Sequence, residues 1–341
     1  MTKLGGRPYF SLAVKTDGTI WAWGANSVGQ MGNGTVSTNP VTIPGMVSNS
    51  APGGAINNPL QVTCSRDVGA ALLTNGTVWT WGSGGHGELG NGTFGSSYLP
   101  AQIPGFSNVT QISAGWFQIL ARKSDGTAWA WGNNFYGELG DGTTSNKSSP
   151  VQVLNLSNVV AVSGGDRHSS ALLSDGTIWK WGANDVGELG NGLADINAHP
   201  NAAKLLTDKF GAGFSNIVMM SARDYHNIAL KADGSVWMWG ADDQGQCGDG
   251  VLNSTGDLRP VPVTGLGARV PLPLNQQPDI QPGNLDLSWT CNTGEFYSVE
   301  FTTNLMNGFT SVLQSNVLST PPLTTITVPM TNDRLFYRLR F

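Results

Sequence analysis

The stretch that decides the fold is SDGTAWAWGNNFYGELGDGTTS, residues 124–145. An Asp-Gly pair is followed by tryptophans at 129 and 131, and then by glycines at 132, 137, 140 and 142. Asp-Gly between two extended apolar runs is a strong hairpin signal, for which a two-residue type I′ turn is expected. Because residues two apart on a strand share a face, the stretch predicts a strand with both tryptophans on one side.

The same stretch occurs five times in the chain. Its turn residue, taken as position 0, is Asp17, Asn75, Asp125, Asp175 and Asp233, at intervals of 58, 50, 50 and 58 residues. Tryptophan recurs at +4 and +6, and glycine at +7, +12, +15 and +17. Tandem periods of this length are typical of solenoids, arrays and propellers. A further strand on either side of each hairpin gives about four strands per repeat, which favours a propeller blade.

The repeat resembles that of the regulator of chromosome condensation family. The pattern A-L-x-x-D-G-T-x-W-x-W-G followed by G-E-L-G-N-G-T extends over about residues 1–270. The resemblance implies a β-propeller, usually of seven blades, whereas five repeats are present here. We expect an all-β fold: a compact five-bladed propeller with about 50–58 residues per blade, followed by a small β-sandwich. An open arc completed by a neighbour is the alternative. The outer strand of blade one is expected from residues 258–265.

The C-terminal part departs from the repeat. Residues 271–284 are rich in proline and polar residues and predict a linker between the propeller and residues 285–341. The latter alternate as five short strands and resemble a fibronectin type III-like sandwich, similar to C-terminal modules on secreted bacterial proteins, without its last strand. The exposed edge would offer unpaired backbone groups to another chain. Docking of this edge on its own propeller is the alternative. The edge residues are Phe336, Tyr337, Leu339 and Phe341.

Composition limits partners and location. A net charge of -5 with 18 lysines and arginines provides no basic field, so nucleic-acid binding is not expected. No apolar run approaches the roughly 20 residues that span a bilayer. The start, MTKLGGRPYF, lacks the apolar core of a secretory signal. Because lysine and glutamate are scarce, we expect an extracellular or cell-surface protein in a processed form; a cytosolic protein is the alternative.

Chemistry-bearing residues do not form a catalytic pattern. Position +13 is Glu or Gln in every repeat, and we expect it to accept hydrogen bonds from its own loop's amides rather than to bind a metal. The shared repeat position of His168 and His226 favours a structural role, and His86 and His199 have no acid or nucleophile at recognisable spacing. Cys247 replaces the Met or Leu of the other repeats and is interpreted as a small buried hydrophobe. We predict no catalytic residue, no metal ligand and no cofactor.

The positions that vary on this repeated scaffold are −9 to −7, which open the inner hairpin strand and should gather around one mouth of the central axis. Aromatic residues and arginine are frequent interface anchors. Packing inside the narrow channel is the alternative for some of them. The candidate partner-binding residues are Tyr9, Arg66, Asp67, Trp116, Phe117, Asp166, Arg167, Tyr225 and His226.

Three classes of function fit these observations. The first, which we expect, is a non-enzymatic extracellular structural or attachment protein that polymerises through β-edge contacts. The second is a propeller that binds one protein partner through its mouth; the resemblance implies roles such as inhibiting secreted enzymes or exchanging nucleotide on small GTPases. The third is an enzyme. The partner is therefore expected to be a second copy or another protein.

Overall fold

The computed structural model describes residues 3–6, 9–48 and 56–264, and six strands between 279 and 340. All elements of this described part are β-strands, and it contains no helix long and apolar enough to cross a membrane. The chain divides into two compact units. One is Met1–Lys231 with Val236–Val263, and the other is Ala232–Ser235 with Thr264–Phe341.

The first unit contains five antiparallel four-stranded sheets, each built from consecutive strands. These are the blades of the predicted five-bladed propeller. Blade one holds β1 (Lys3–Gly6), β2 (Phe10–Val14), β3 (Ile20–Asn26) and β4 (Ser37–Met46), and blade two holds β5 (Pro59–Cys64), β6 (Val68–Leu73), β7 (Val78–Gly82) and β8 (Ser97–Gln102). Blade three holds β9 (Val109–Ala114), β10 (Gln118–Lys123), β11 (Ala128–Gly132) and β12 (Lys147–Gln152). Blade four holds β13 (Val159–Gly164), β14 (His168–Leu173), β15 (Ile178–Asn184) and β16 (Asp195–Lys204), and blade five holds β17 (Ile217–Arg223), β18 (His226–Lys231), β19 (Val236–Asp242) and β20 (Asn253–Pro262).

The first strands of consecutive blades lie next to one another, from β1 beside β5 to β13 beside β17. Glutamine side chains join these strands: Gln61 Nε2 donates to the Ile112 carbonyl (2.7 Å), and its Oε1 accepts the Ile112 amide (3.0 Å). Gln111 repeats this pair of bonds to Val162. Arg223 of blade five donates to the Gly6 carbonyl of blade one (2.5 Å). These first strands therefore surround the propeller axis.

The apolar core lies between blades, in four clusters that each combine residues of two consecutive blades. The tryptophan at +6 is fully buried in blades two to five, at Trp81, Trp131, Trp181 and Trp239. The tryptophan at +4 is buried in blade two, at Trp79, and half-buried in the other blades. The prediction that both tryptophans of every pair are buried between blades is therefore confirmed in blade two and wrong elsewhere: the first of the pair is half-buried in the other four blades, and in blade one the second, Trp23, is half-buried as well. Only the second lies under the glycine loop of the preceding blade.

The hairpin turn differs from the predicted type I′ geometry. Gly126 has a positive φ of 78°, whereas Asp125 is not among the residues with positive φ. The Gly126 amide donates to the Lys123 carbonyl (3.1 Å), and the Lys123 amide donates to the Thr127 carbonyl (3.0 Å). This is a type I turn followed by a glycine in the left-handed region. The Asp125 side chain stabilises it by accepting the Thr127 amide (2.9 Å).

The expected origin of the outer strand of blade one is wrong. All four strands of that blade come from residues 3–46, with β4 paired to β3. Most of the segment expected to supply the strand, residues 258–265, lies instead in β20, where Pro262 pairs with Trp237 of β19. The first repeat is thus complete on its own, because β1 already provides its inner strand.

The second unit has two three-stranded antiparallel sheets, β21-β22-β25 and β24-β23-β26. The final strand, β26, pairs with β23 of the same chain, Leu339 opposite Val299. Phe336, Tyr337 and Leu339 of the predicted assembly edge lie on β26, which is an edge strand of this sheet, while Phe341 lies outside the described residues. The strands are β21 (Asp279–Gln281, inside the predicted linker), β22 (Asn284–Trp289), β23 (Phe296–Thr302), β24 (Ser311–Leu318), β25 (Thr324–Pro329) and β26 (Phe336–Arg340).

Candidate functional site

The loops that join the first and second strands of each blade form the mouth of the propeller. The backbone holds each loop in the same way, as in blade three, where the Phe117 carbonyl accepts the Asn133 amide (2.9 Å). A Cβ at Gly132, whose φ is +106°, would lie 2.4 Å from that carbonyl oxygen. The equivalent glycine faces the equivalent carbonyl in all five blades. The glycine at +7 therefore fixes where the variable side chains start.

Neighbouring mouth loops are also joined to one another by backbone hydrogen bonds. The Arg66 amide donates to the Trp116 carbonyl (3.2 Å), and the Trp116 amide donates to the Asp166 carbonyl (3.3 Å). The Asp166 amide donates in turn to the Asp224 carbonyl (2.8 Å). The mouth loops of blades two to five are thus one continuous backbone network. A rigid support of this kind lowers the entropy that the side chains lose on binding a partner.

Arg66 of blade two lies at the centre of a cluster with aromatic side chains of blades one and three. Its guanidinium carbon is 5.4 Å from the ring centre of Tyr9, 5.8 Å from Trp116 and 5.5 Å from Phe117. Tyr9 and Trp116 pack edge to face at 6.2 Å. Arg66 also lies 3.5 Å from the Asp67 carboxylate, and its side chain stays 41% exposed. Cation–π contacts with three rings orient this cation while leaving it open to solvent.

A second arginine, Arg167, joins blades three to five. Its guanidinium carbon lies 5.3 Å from the Tyr136 ring centre and 5.8 Å from that of Tyr225. Its Nη1 donates to the Tyr136 hydroxyl (3.3 Å). Burial raises the pKa of the Tyr225 hydroxyl, and the nearby Arg167 charge opposes this shift. Asp166 is 5% exposed and lies beneath this group rather than on its surface.

Part of this mouth was not predicted from the sequence. The glycine loop of each blade reaches the same end, so that Tyr136 contacts Arg167, and His86 lies 5.0 Å from the Phe117 ring. Both stand at +11, where the repeats carry Val28, His86, Tyr136, Val186 and Gln244. Variation at this position, next to the constant glycine at +12, is the signal that could have identified them. A cleft of about 250 Å³ opens beside Tyr225 and is lined by Asp185, Val186 and Asp242 among others.

The side chain at +13 accepts the amide two residues before it in all five blades, which confirms the expected role. In blade three Glu138 Oε2 accepts the Tyr136 amide (2.8 Å). Burial raises the pKa of Glu138 to about 7. Burial also raises the pKa of Glu188 to about 8, with Asp185 adding to the shift. The equivalent bonds are formed by Gln30, Glu88, Glu188 and Gln246.

The histidines separate into buried and surface positions. His168 is fully buried, with Nε2 3.0 Å from the Asn227 side-chain oxygen in the next blade. His226 is half-buried, and burial lowers its pKa while Asp224 opposes the shift. No catalytic spacing of an acid or nucleophile was expected for His86 and His199; the structure places His86 3.0 Å from Glu88, and His199 3.1 Å from Asp195. A spacing of two residues in the glycine loop of blade two produces the first pair, and a spacing of four residues along β16 produces the second.

The structure brings most of the predicted mouth residues into two groups. The Arg66 group comprises Tyr9, Arg66, Asp67, Trp116 and Phe117, with His86 at its rim. The Arg167 group comprises Arg167, Tyr225 and Tyr136. Together these residues are named the mouth surface below. Asp166 and His226 lie at the same end, but Asp166 is buried and the electrostatic neighbours of His226 are Asp224 and Arg223.

Comparison with known proteins identifies the repeat. The model of the RCC1-like domain matches residues 5–275. The chain belongs to this family. It is similar to the Arabidopsis thaliana mitochondrial RCC1 domain-containing protein RUG3, with 33% identity over 97 residues, 28% of this chain and 20% of RUG3. Human E3 ubiquitin-protein ligase HERC2 is 30% identical over 101 residues, 30% of this chain but 2% of HERC2.

Solved structures agree with this assignment at the level of the fold. Yeast RCC1 (Prp20), in its complex with Kap60, superposes with a TM-score of 0.65 at 22% identity, over 83% of this chain and 66% of that chain. The sequence matches to RUG3 and HERC2 span a fifth or less of those relatives. The RCC1-like domain is thus shared, and the ligase activity in the name of HERC2 belongs to a protein of which this chain matches 2%.

Two expectations are wrong in the light of these relatives. One is the extracellular or cell-surface location, since the relatives include a mitochondrial protein and a ubiquitin-protein ligase. The other is the polymer-forming structural role, since the relatives that share the RCC1-like domain are a mitochondrial RCC1 domain-containing protein and a ubiquitin-protein ligase rather than structural filaments. Both expectations relied in part on the low lysine and glutamate content. This composition reflects the glycine-rich blades as strongly as it reflects the cellular compartment.

Proposed function

We propose that this chain is a protein-binding propeller that recognises one partner protein through the mouth surface. The observation that carries the proposal is the position of Arg66 among Tyr9, Trp116 and Phe117. Arginine and aromatic side chains are the residues in which binding energy is most often concentrated. Here the scaffold orients them before a partner arrives, so little side-chain entropy remains to be lost.

Exposure favours binding over simple filling of the channel. Tyr9 is 46% exposed at the rim, and the Arg66 side chain is 41% exposed. Residues that only filled a narrow channel would be buried on all sides. The two arginines differ in their surroundings, since Arg66 has Asp67 beside it and Arg167 has two tyrosines. The mouth surface therefore offers a partner charged, aromatic and hydrogen-bonding groups together.

The relatives support the same class of function. Yeast RCC1 (Prp20) has been solved bound to Kap60, and a second structure of Prp20p is described together with its binding properties to Gsp1p and histones. This chain is 22% and 21% identical to the chains of those two structures, so the likeness suggests binding of a protein rather than a particular partner. The proposal assigns no catalytic step, cofactor or metal to the mouth surface.

The proposed domain division follows the sequence. Residues 1–270 form the binding propeller, residues 271–284 connect it, and residues 285–341 form an accessory sandwich. The resemblance of this sandwich to fibronectin type III modules supports a role as an appended unit. Binding at the mouth surface requires only the first of these parts.

Photo-crosslinking tests the proposal. A photoreactive amino acid is introduced at Tyr9 in the mouth surface or, as a matched control, at Ile43, which is 77% exposed on strand β4 of the same blade. The full chain is irradiated in an extract of the organism that makes it, and adducts are identified by mass spectrometry. We expect one protein to be captured from Tyr9 and lost when Arg66→Ala is added. Equal capture from both positions, or capture that survives Arg66→Ala, would overturn the proposal.

A further inference from the structure

The glycine loop of blade five differs from the other loops at two positions that carry chemistry. At +9, blades one, three and four have asparagine, and blade five has Asp242. At +14, the other blades have methionine or leucine, and blade five has Cys247. Both changes replace a neutral or apolar side chain by one that ligates metal ions.

The change from asparagine to aspartate removes a structural hydrogen bond. In blade three, Asn134 accepts the Leu139 amide (2.9 Å) and its Nδ2 donates to the Thr143 carbonyl (2.9 Å). Asp242 keeps the first bond, to the Cys247 amide (2.7 Å), but it cannot donate and instead accepts the Asn253 amide (3.2 Å). Asp242 thus braces its loop with two accepted backbone bonds, where asparagine uses one accepted and one donated bond, and it adds a carboxylate to the interior of blade five.

A second carboxylate, that of Asp257, approaches Asp242 and Cys247 from the outer strand of the blade. Asp257 lies on β20 opposite Gly240, which brings its carboxylate beside Asp242 and Cys247. One ligand atom from each of the three side chains lies within 4.8 Å of the other two. Asp242 is 1% exposed, Cys247 0% and Asp257 5%. The three groups are thus a buried cluster assembled from two different strands and a loop.

The charge of this cluster is not balanced by its hydrogen bonds. Asp257 Oδ2 is buried and has no hydrogen-bond partner within the described part of the chain. Lys209 lies 3.3 Å from Asp249 and 3.8 Å from Asp257, so one cation faces two carboxylates. Buried acids in this arrangement call for a compensating positive charge.

We propose that Asp242, Cys247 and Asp257 bind one divalent transition-metal ion of the Zn²⁺ class. One thiolate and two carboxylates suit a borderline-soft ion, whereas Ca²⁺ and Mg²⁺ prefer oxygen ligands alone. Ligand atoms around a tetrahedral ion lie roughly 3–4 Å apart, given metal–ligand distances of about 2.0–2.3 Å, so the observed cluster needs only a small contraction. The Cys247 proton passes to solvent when the ion binds.

The ion has a route to this site. The cleft of about 250 Å³ beside Tyr225 is lined by Asp242 and by Gly256, the neighbour of Asp257. Three protein ligands leave a fourth position for water from this cleft. The ion would connect β19, the loop after it and β20, and so stabilise the outer half of the last blade.

Metal binding is tested on the full chain after treatment with a chelator. Addition of Co²⁺ should produce a sulfur-to-cobalt charge-transfer band that saturates at one ion per chain, and Zn²⁺ should displace it. Elemental analysis after gel filtration should find one Zn²⁺ per chain, and its presence should raise the melting temperature. Absence of both the band and bound zinc would overturn the proposal.

Variants locate the ion within the chain. Cys247→Leu restores the leucine of blades two to four and should fold, so loss of the band and of bound zinc would support the site. Asp242→Asn restores the asparagine of blades one, three and four and should weaken zinc binding by at least tenfold. The other two cysteines provide the control: Cys64→Ala with Cys291→Ser should leave the band intact. A band that persists in Cys247→Leu would overturn the assignment.

Discussion

The indole nitrogen of Trp131 donates a hydrogen bond to the backbone carbonyl of Glu88 in the preceding blade, 2.8 Å away. The same bond joins each of blades two to five to the blade before it, from Trp81, Trp131, Trp181 and Trp239. One residue therefore stabilises each interface in two ways: its ring fills the core, and its N–H donates to a backbone carbonyl of the glycine loop. This explains why the repeat requires tryptophan at +6 rather than any large apolar residue.

Substitution of Trp131 should separate these two contributions. Trp131→Ala removes the buried ring and should cost about 3–5 kcal/mol of unfolding free energy. Trp131→Phe keeps an aromatic ring and leaves the Glu88 carbonyl without its donor, which should cost about 1–3 kcal/mol. Melting followed by tryptophan fluorescence measures both. Trp23→Ala in blade one, where the ring is only half-buried, is the matched control and should cost less. An unchanged melting temperature for Trp131→Ala would contradict the buried placement.

Gly132 should be intolerant of a side chain for a reason specific to the mouth. A Cβ there would meet the Phe117 carbonyl at 2.4 Å, so Gly132→Ala must displace the loop that carries Phe117. We expect a loss of about 2–4 kcal/mol in thermal unfolding. Gly105→Ala is the matched control, because Gly105 also has a positive φ (+65°) but has no atom within 4 Å of its Cβ position. Equal losses in the two variants would show that backbone conformation alone matters.

The repeat could be predicted from sequence because its signals are local. A turn glycine, a period-two tryptophan pair and a carboxylate that accepts its own loop's amides all act within about twenty residues of position 0. The half-burial of Trp129 could not be predicted in the same way. It depends on how far the neighbouring blade extends over the strand, which strand periodicity does not specify.

Contacts between distant repeats were predicted least well. The positions that flank each mouth loop were recognised by their variation, but Tyr136 reaches Arg167 from another blade through a loop treated as constant. Asp257 joins Asp242 through the irregular β19–β20 pairing, where the register shifts. Such register shifts change which side chains are neighbours, and the sequence pattern does not reveal them.

Stability of the propeller should fall as pH rises from about 5 to 8. Burial raises the pKa of Glu138 in the folded state to about 7, whereas the ordinary pKa of glutamate is 4.5. Between these two pH values the folded state therefore keeps a proton that the unfolded chain has released. The stabilisation is complete below about pH 4.5 and is lost by pH 7, a difference of roughly 3 kcal/mol. Glu188, with a pKa raised to about 8, extends the loss to that pH.

Glutamine variants test this pH dependence. Glu138→Gln should flatten the fall in melting temperature between pH 5 and 8, because Gln30 and Gln246 already make the same loop bond without a titrating group. The converse variant, Gln30→Glu, introduces a buried carboxyl close to Asp67 and should steepen the fall. If Glu138→Gln retains the slope of the parent protein, the pH dependence arises elsewhere.

Arg66 should contribute to partner binding through its shape as well as its charge. Arg66→Lys keeps the positive charge but loses the planar group that lies against Tyr9, Trp116 and Phe117. With the partner captured by crosslinking, we expect Arg66→Lys to weaken binding by about tenfold and Arg66→Ala by about thirtyfold or more, corresponding to a hot-spot loss of roughly 2 kcal/mol. Calorimetric titration measures both, and the melting temperature should change little.

The control for this prediction is Arg122 at the opposite end of blade three. Its Nη1 donates to the Val160 carbonyl (2.7 Å), and it pairs with Ala128 next to the hairpin turn, away from the mouth loops. Arg122→Lys therefore changes the same residue type on the same scaffold without touching the mouth surface, and binding should be unchanged. If Arg122→Lys weakens binding as much as Arg66→Lys, the partner contacts the turn end of the blades and the mouth surface is not its site.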